Sequence, residues 1–108
     1  MWQIAVDLSK EVDLLSKKFP IEERFSLASQ IKRAADSVVL NIAEGSTGQS
    51  KPEFKRFLSI SLRSAIEVVA CLFLAINRNF INEEMFKKLY DSCGVLYKMI
   101  IKLRDSIL

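Results

Sequence analysis

Apolar residues along the chain recur at intervals of three and four in four separate blocks, the spacing that puts them on one face of an α-helix. In the first block Ala5, Leu8, Val12, Leu15 and Phe19 step this way, with Asp7, Lys10, Glu11 and Lys18 on the polar side. The pattern predicts a helix over residues 2–18, ended at Phe19-Pro20 because proline disfavours helical geometry in the residue before it. Proline also suits the start of the next helix, where its missing N–H costs nothing. That second helix is predicted over residues 21–44, with a core stripe of Ala28, Ile31, Ala35, Val38 and Ile42 and with Leu27 and Ala34 beside it. Gly45 follows the last periodic residue, where a C-terminal cap is expected.

Ser50 opens the third block, predicted over residues 51–78, and with Glu53 it reads as a capping box with Pro52 in the first turn. Phe54, Leu58, Ala65, Val69, Leu72 and Ile76 mark one face. From Ala65 to Ile76 only Glu67 is polar, so this helix calls for cover on more than one side. The face around Leu40 of the second helix and Ala70, Cys71 and Leu74 of the third is the candidate for a contact between subunits. The fourth block, predicted over residues 83–107, is capped by Asn82, with Ile81 and Phe86 placed as a hydrophobic staple. Its stripe of Phe86, Leu89, Cys93, Leu96, Ile100, Leu103 and Ile107 alternates steps of three and four. Gly94 on this helix costs up to about 1 kcal/mol relative to alanine, and it is read as a place where another helix comes close.

Short connections make consecutive helices antiparallel neighbours. The fold class expected is therefore all-α: one domain, an up-down antiparallel four-helix bundle with left-handed-twist packing. The chain has only three glycines and two prolines, too few for the many turns of a sheet protein. At 108 residues it can bury a sufficient core without disulfides or metal. Cys71 and Cys93 both sit in apolar helical patterns and read as small buried hydrophobes in a reducing compartment. The first residues lack the basic start and apolar stretch of a signal peptide. The longest apolar run, Val68 to Ile76, is nine residues, so a cytoplasmic protein with no membrane segment is expected.

Candidate chemistry is sparse. The chain has no histidine, which removes the commonest general base and the commonest metal ligand. No paired carboxylates stand at helical spacing around Glu67, so no enzyme, metal, cofactor or small-molecule substrate is expected. A helical ribonuclease relying on arginine and a downstream histidine is excluded on the same ground. Gly45-Ser46-Thr47-Gly48-Gln49-Ser50-Lys51 has the wrong spacing for a phosphate loop and no strand before it. Gln30, Arg33, Ser37, Asn41 and Glu44 share one stripe of the second helix, and Arg63 and Glu67 align on the third. These seven are expected to form a structural polar network, with Glu67 at least half buried and paired with Arg63 or Arg33.

Net charge is +3, a weak lean towards polyanions. Lys32, Arg33, Lys51, Lys55 and Arg56 concentrate on the second helix and the start of the third and are the candidate nucleic-acid-binding residues. Acidic Asp36, Glu44 and Glu53 dilute them, but repetition around an oligomer would strengthen a weak patch by avidity.

The run from Gln30 to Gly45, and within it Asn41-Ile42-Ala43-Glu44-Gly45 above all, carries a resemblance over nearly the whole chain. With Phe19-Pro20 upstream and Ser50, Glu53, Phe54, Phe57 and Leu58 downstream, it resembles the four-helix-bundle family encoded by intervening sequences in bacterial large-subunit ribosomal RNA genes. Lys32-Arg33 stands where the family has two arginines, Phe25-Ser26-Leu27 where it has aromatic-Gly-Leu, and Val39 where it often has proline. The chain is similar, too, to accessory proteins of diversity-generating retroelements. The resemblance implies a homopentameric ring, and RNA, DNA or a nucleoprotein such as a reverse transcriptase as partner. It carries no catalytic residues over. The function expected is a non-enzymatic oligomeric scaffold engaging RNA or a nucleoprotein; the alternative is a protein–protein interaction module that binds no nucleic acid.

Overall fold

A computed structural model describes residues 1–47 and 50–108, and among them it contains four α-helices and no strand. They are α1 (Trp2–Ser16), α2 (Leu27–Gly45), α3 (Lys51–Asn77) and α4 (Glu83–Ser106). Each helix packs on its neighbours in chain order, α4 closes back on α1, and the two diagonal pairs do not approach. That closed square of antiparallel neighbours is the up-down four-helix bundle. It is 44 Å long, close to the length that the 27 residues of α3 span at about 1.5 Å each.

The core stripes of α1, α2 and α4 are those read from the spacing. Ala5, Leu8, Val12 and Leu15 meet Ile31, Ala35, Val38 and Ile42, and Leu89, Cys93, Leu96 and Ile100 complete the same cluster. The α3 stripe is rotated from the one expected. Ser61, Val68 and Ala75, seven apart, are buried with Leu58, Leu62, Ala65, Cys71 and Leu72. Ser61 turns inward because its hydroxyl donates to the Val38 carbonyl at 2.9 Å, which removes the penalty of burying it. Two serines and two alanines, Ser37, Ser61, Ala34 and Ala65, thus let α2 and α3 pack closely, and theirs is the most extensive helix pair.

Boundaries differ where local chemistry overrides periodicity. α1 stops at Ser16 rather than residue 18, and Pro20 starts a short 3-10 turn, Ile21–Glu23, before α2 begins at Leu27. At the other end of the bundle, Asn79 takes a left-handed φ of 61°. The Phe80 N–H then donates to Ala75 O at 2.9 Å and the Asn79 N–H to Ile76 O at 3.1 Å, closing α3 by a Schellman motif that periodicity does not reveal. The Ser50 and Asn82 caps are as expected: their side chains accept from the Glu53 N–H at 3.3 Å and the Met85 N–H at 2.8 Å. Glu53 itself turns to Arg56 at 3.3 Å, so the box is only half closed.

Both glycine assignments are corrected. Gly45 is the last residue of α2, buried and without the left-handed φ of a capping glycine. Its role is steric, since an added Cβ would lie 2.8 Å from Phe54 Cδ1. At Gly94 an added Cβ would meet nothing within 4 Å, so no helix of the chain comes close there. The loop reading at Gly45–Gln49 falls in part on residues 48 and 49, outside the described residues.

By length and composition α3 is apolar enough to cross a membrane, a property that counting only its uninterrupted run missed. The same apolar content supplies the inner face of the bundle, where α3 packs between α2 and α4.

Cys71 and Cys93 are free and buried. Burial pushes the Cys71 thiol up to about 11, helped by the negative charge of Glu67, and the Cys93 thiol to about 12 by burial alone. Both are raised above the ordinary 9.0, so the folded chain holds these protons more tightly than the unfolded chain. Their contribution to stability is present below pH 9.0 and is lost as pH climbs towards 11 and 12. Ellman's reagent at mildly alkaline pH is expected to titrate neither thiol in the native protein and both in denaturing guanidinium. Rapid native labelling of either one would contradict the burial.

Candidate nucleic-acid interface

The five candidate basic residues do not form one free patch. Lys32 turns away from α3, with its Nζ 3.2 Å from Asp13 Oδ1 on α1. Asp13 holds Lys17 as well, at 3.3 Å, and these two ammonium groups keep its carboxyl below the usual carboxylate range. Arg56 reaches Glu53, and its guanidinium lies over the Phe57 ring, 4.8 Å from the centroid. Arg33, Lys51 and Lys55 are exposed and have no carboxylate within 4.0 Å among the described residues. Arg63, assigned to the polar network, is likewise exposed and unpaired among the described residues. Of the basic residues singled out above, Arg33, Lys51, Lys55 and Arg63 are those without a carboxylate partner among the described residues.

The expected network is broken into pieces. Ser37 and Ser64 share a hydrogen bond of 2.7 Å across α2 and α3, and the Asn41 amide donates to the Ser37 hydroxyl at 3.0 Å and to its carbonyl at 2.8 Å. Gln30 reaches Glu67 at 3.4 Å. Arg33 and Glu44 are exposed and take no side-chain part in it among the described residues. Glu67 is corrected most: it is exposed, and neither Arg63 nor Arg33 lies within 4.0 Å of it. On α3 it falls on the solvent edge beside α2, where hydration replaces a cation. Ser61 and Ser64, which make the buried part of the α2–α3 polar contact, were missed. The available signal was that Ser37, Ser61 and Ser64 are small hydroxyl residues on the two helices predicted to be neighbours.

The proposed subunit face divides similarly. Leu40 is 63 % exposed, Leu74 41 %, and Ala70 is exposed. Cys71 is not on that face; it is buried in the chain's own core. Rotation of the α3 stripe is the reason, since it carries residue 71 inward and leaves 70 and 74 outside. Arg56, Arg63, Ala70 and Asn77 recur every seven residues and all are exposed, so the outer strip of α3 is cationic in its first half and uncharged in its second, where exposed Leu74 adjoins Ala70.

Residues 1–102 match the family described as 23S rRNA-intervening sequence protein. The chain belongs to that family. Among solved structures it is similar to a protein of unknown function from the S23 ribosomal protein family of Bacteroides thetaiotaomicron. The two share 24 % identity over 97 % of this chain and 98 % of that one, with a TM-score of 0.90. At that identity the likeness bears on the fold alone. No curated protein matches. For this 23S rRNA-intervening sequence protein, membership covers the bundle from Met1 to Lys102 and assigns no task to any surface of it.

Proposed function

We propose that this protein is a non-enzymatic scaffold that self-associates through the outer apolar half of α3 and engages RNA or a nucleoprotein through its cationic half. The observation that carries the proposal is the seven-residue strip just described. Ala70 and Leu74, with Leu40 on α2, present apolar surface that no helix of the chain covers. Arg63, with Arg33 on α2 and Lys51 and Lys55 at the start of α3, presents cations that no carboxylate of the described residues neutralises. Four such charges on one protomer make a weak polyanion site; several copies in a ring, of which five is the number the family resemblance implies, make a stronger one by avidity. The missing histidine and the absence of a metal-competent cluster among the described residues support a binding rather than a catalytic task.

Light scattering tests the first half. The native particle is expected at a multiple of 12.3 kDa, and Leu74→Glu at or near 12.3 kDa with its helical circular dichroism unchanged. A wild-type particle of 12.3 kDa at micromolar concentration would remove the scaffold. Fluorescence anisotropy with RNA tests the second half. Two to four phosphate contacts per protomer predict a log–log salt slope of about −1.5 to −3 for single strands, made shallower by Arg63→Ala or Lys55→Ala. Self-association without RNA binding at low salt would leave the protein-only module in its place.

A further inference from the structure

Beside Arg33 lies a groove of about 480 Å³ between the start of α2 and the middle of α3. Phe25 stands at its rim and is 87 % exposed. Its ring is approached by the Arg24 guanidinium, 5.6 Å from the centroid, and it belongs to neither the core cluster nor the residues packed against it. Ser29, Gln30 and Arg33 line the α2 wall, Glu67 stands on the α3 side, and buried Ala34 is the one aliphatic lining residue.

We propose that this groove takes an unpaired base of single-stranded RNA, with guanine favoured, the base stacking on Phe25 and its edge meeting Glu67 and Gln30. The inference rests on the reading above that the protein binds RNA. An exposed aromatic ring beside free cations is the arrangement that binds single strands, because every base has a face to stack and every nucleotide a phosphate to pair. Arg33 supplies the cation. The walls select against other occupants. An apolar side chain from a protein would leave an amide, a guanidinium and a carboxylate without partners. A bare phosphate would meet the negative charge of Glu67.

Glu67 also sets the choice of base. An ionised carboxylate only accepts hydrogen bonds. Oε2 takes one from Gln30 Nε2 at a long 3.4 Å, and among the described residues no side chain donates to Oε1. Guanine alone among the four bases places two adjacent N–H donors on its Watson–Crick edge, matching the two oxygens of a carboxylate. Paired bases have that edge occupied, so a duplex is excluded from the groove.

Anisotropy with the full chain tests this, using labelled oligouridine of roughly twelve nucleotides with and without one central guanosine, and a duplex of the same length. Phe25→Ala is expected to weaken binding of the guanosine strand about tenfold, while Phe25→Tyr keeps it, and the duplex affinity does not change with either. Glu67→Gln is expected to erase the preference for the guanosine strand over the all-uridine strand. Circular dichroism of the Phe25 variants checks that the bundle is intact. If the protein binds RNA but Phe25→Ala does not change the affinity, or guanosine brings no gain, the groove assignment falls and the RNA-binding reading stands. If the wild type binds no RNA at low salt, both fall.

Discussion

Leu72→Ala is expected to lower the unfolding free energy by about 3–4 kcal/mol, and Leu74→Ala, two residues on, by no more than about 0.5 kcal/mol. Leu72 is fully buried, and α3 is held between α2 and α4. A truncated side chain there leaves a void that two packed neighbours cannot close, so the lost transfer free energy is joined by a cavity cost. Leu74 faces outward, where water takes the place of the removed carbons. For a domain near 100 residues the Leu72 change corresponds to a fall in melting temperature of about 15 °C. Guanidinium denaturation followed by circular dichroism, with Ala70→Glu on the exposed strip of α3 as the common background to keep the particle monomeric, reads the difference. Equal losses at the two sites would mean that α3 is rotated from the orientation described here.

That pair of leucines also marks how far the sequence could be read. Both lie in one nearly unbroken apolar run, and periodicity weakens as a guide when every side of a helix is apolar. On α1, α2 and α4 a polar face opposes the stripe, and there the stripe read from the spacing is the buried one. On α3 the stripe lacked Ser61 and Ser64, because a serine counts as polar until its hydroxyl has a partner. Val38 O provides that partner for Ser61 only once α2 and α3 are brought together, while Ser64 donates to Ile60 O in its own helix and meets Ser37 across the pair. With the rotation that this imposes, Cys71 moved from the proposed subunit face into the core, while Ala70 and Leu74 stayed outside. Glu67 followed the same logic in reverse: interrupting an apolar run suggested burial, and its true place at the α2 edge is solvated. Charge in the sequence located the basic residues, but not which of them are free. Lys32 is drawn off by Asp13, nineteen positions away, and Arg56 by Glu53, three positions away. Phe25 entered only through the family resemblance, because a single aromatic near the start of the helix expected over residues 21–44 has no period that marks it as exposed.

Gly45→Val is expected to cost about 3 kcal/mol, and the reason separates two explanations of a glycine at a helix end. Were Gly45 a left-handed cap, any side chain would be strained by the backbone. It is instead a helical residue, so on propensity alone alanine there would gain up to about 1 kcal/mol. Space decides otherwise. A Cβ would stand 2.8 Å from Phe54 Cδ1, 3.3 Å from Phe54 Cε1 and 3.1 Å from Phe57 Cβ. The Phe54 ring is half-buried and can swing aside, whereas the Phe57 Cβ is fixed to the backbone of α3 and moves only if the first turns of that helix move. Valine adds two methyl groups to the same crowding and must push α3 outward. Gly45→Ala alone is therefore expected to destabilise by about 1 kcal/mol, the clash outweighing the gain in propensity. Combined with Phe54→Ala, which removes the nearest ring, it is expected to cost about 1 kcal/mol less than the sum of the single changes. Denaturation of the four proteins in that cycle measures the coupling. A coupling of zero would place the constraint in the backbone rather than in the contact with Phe54. The contact also ties the end of α2 to the first turns of α3, the segment that carries Lys51 and Lys55. Loosening it is expected to lower RNA affinity in Gly45→Val even under conditions where the bundle stays folded.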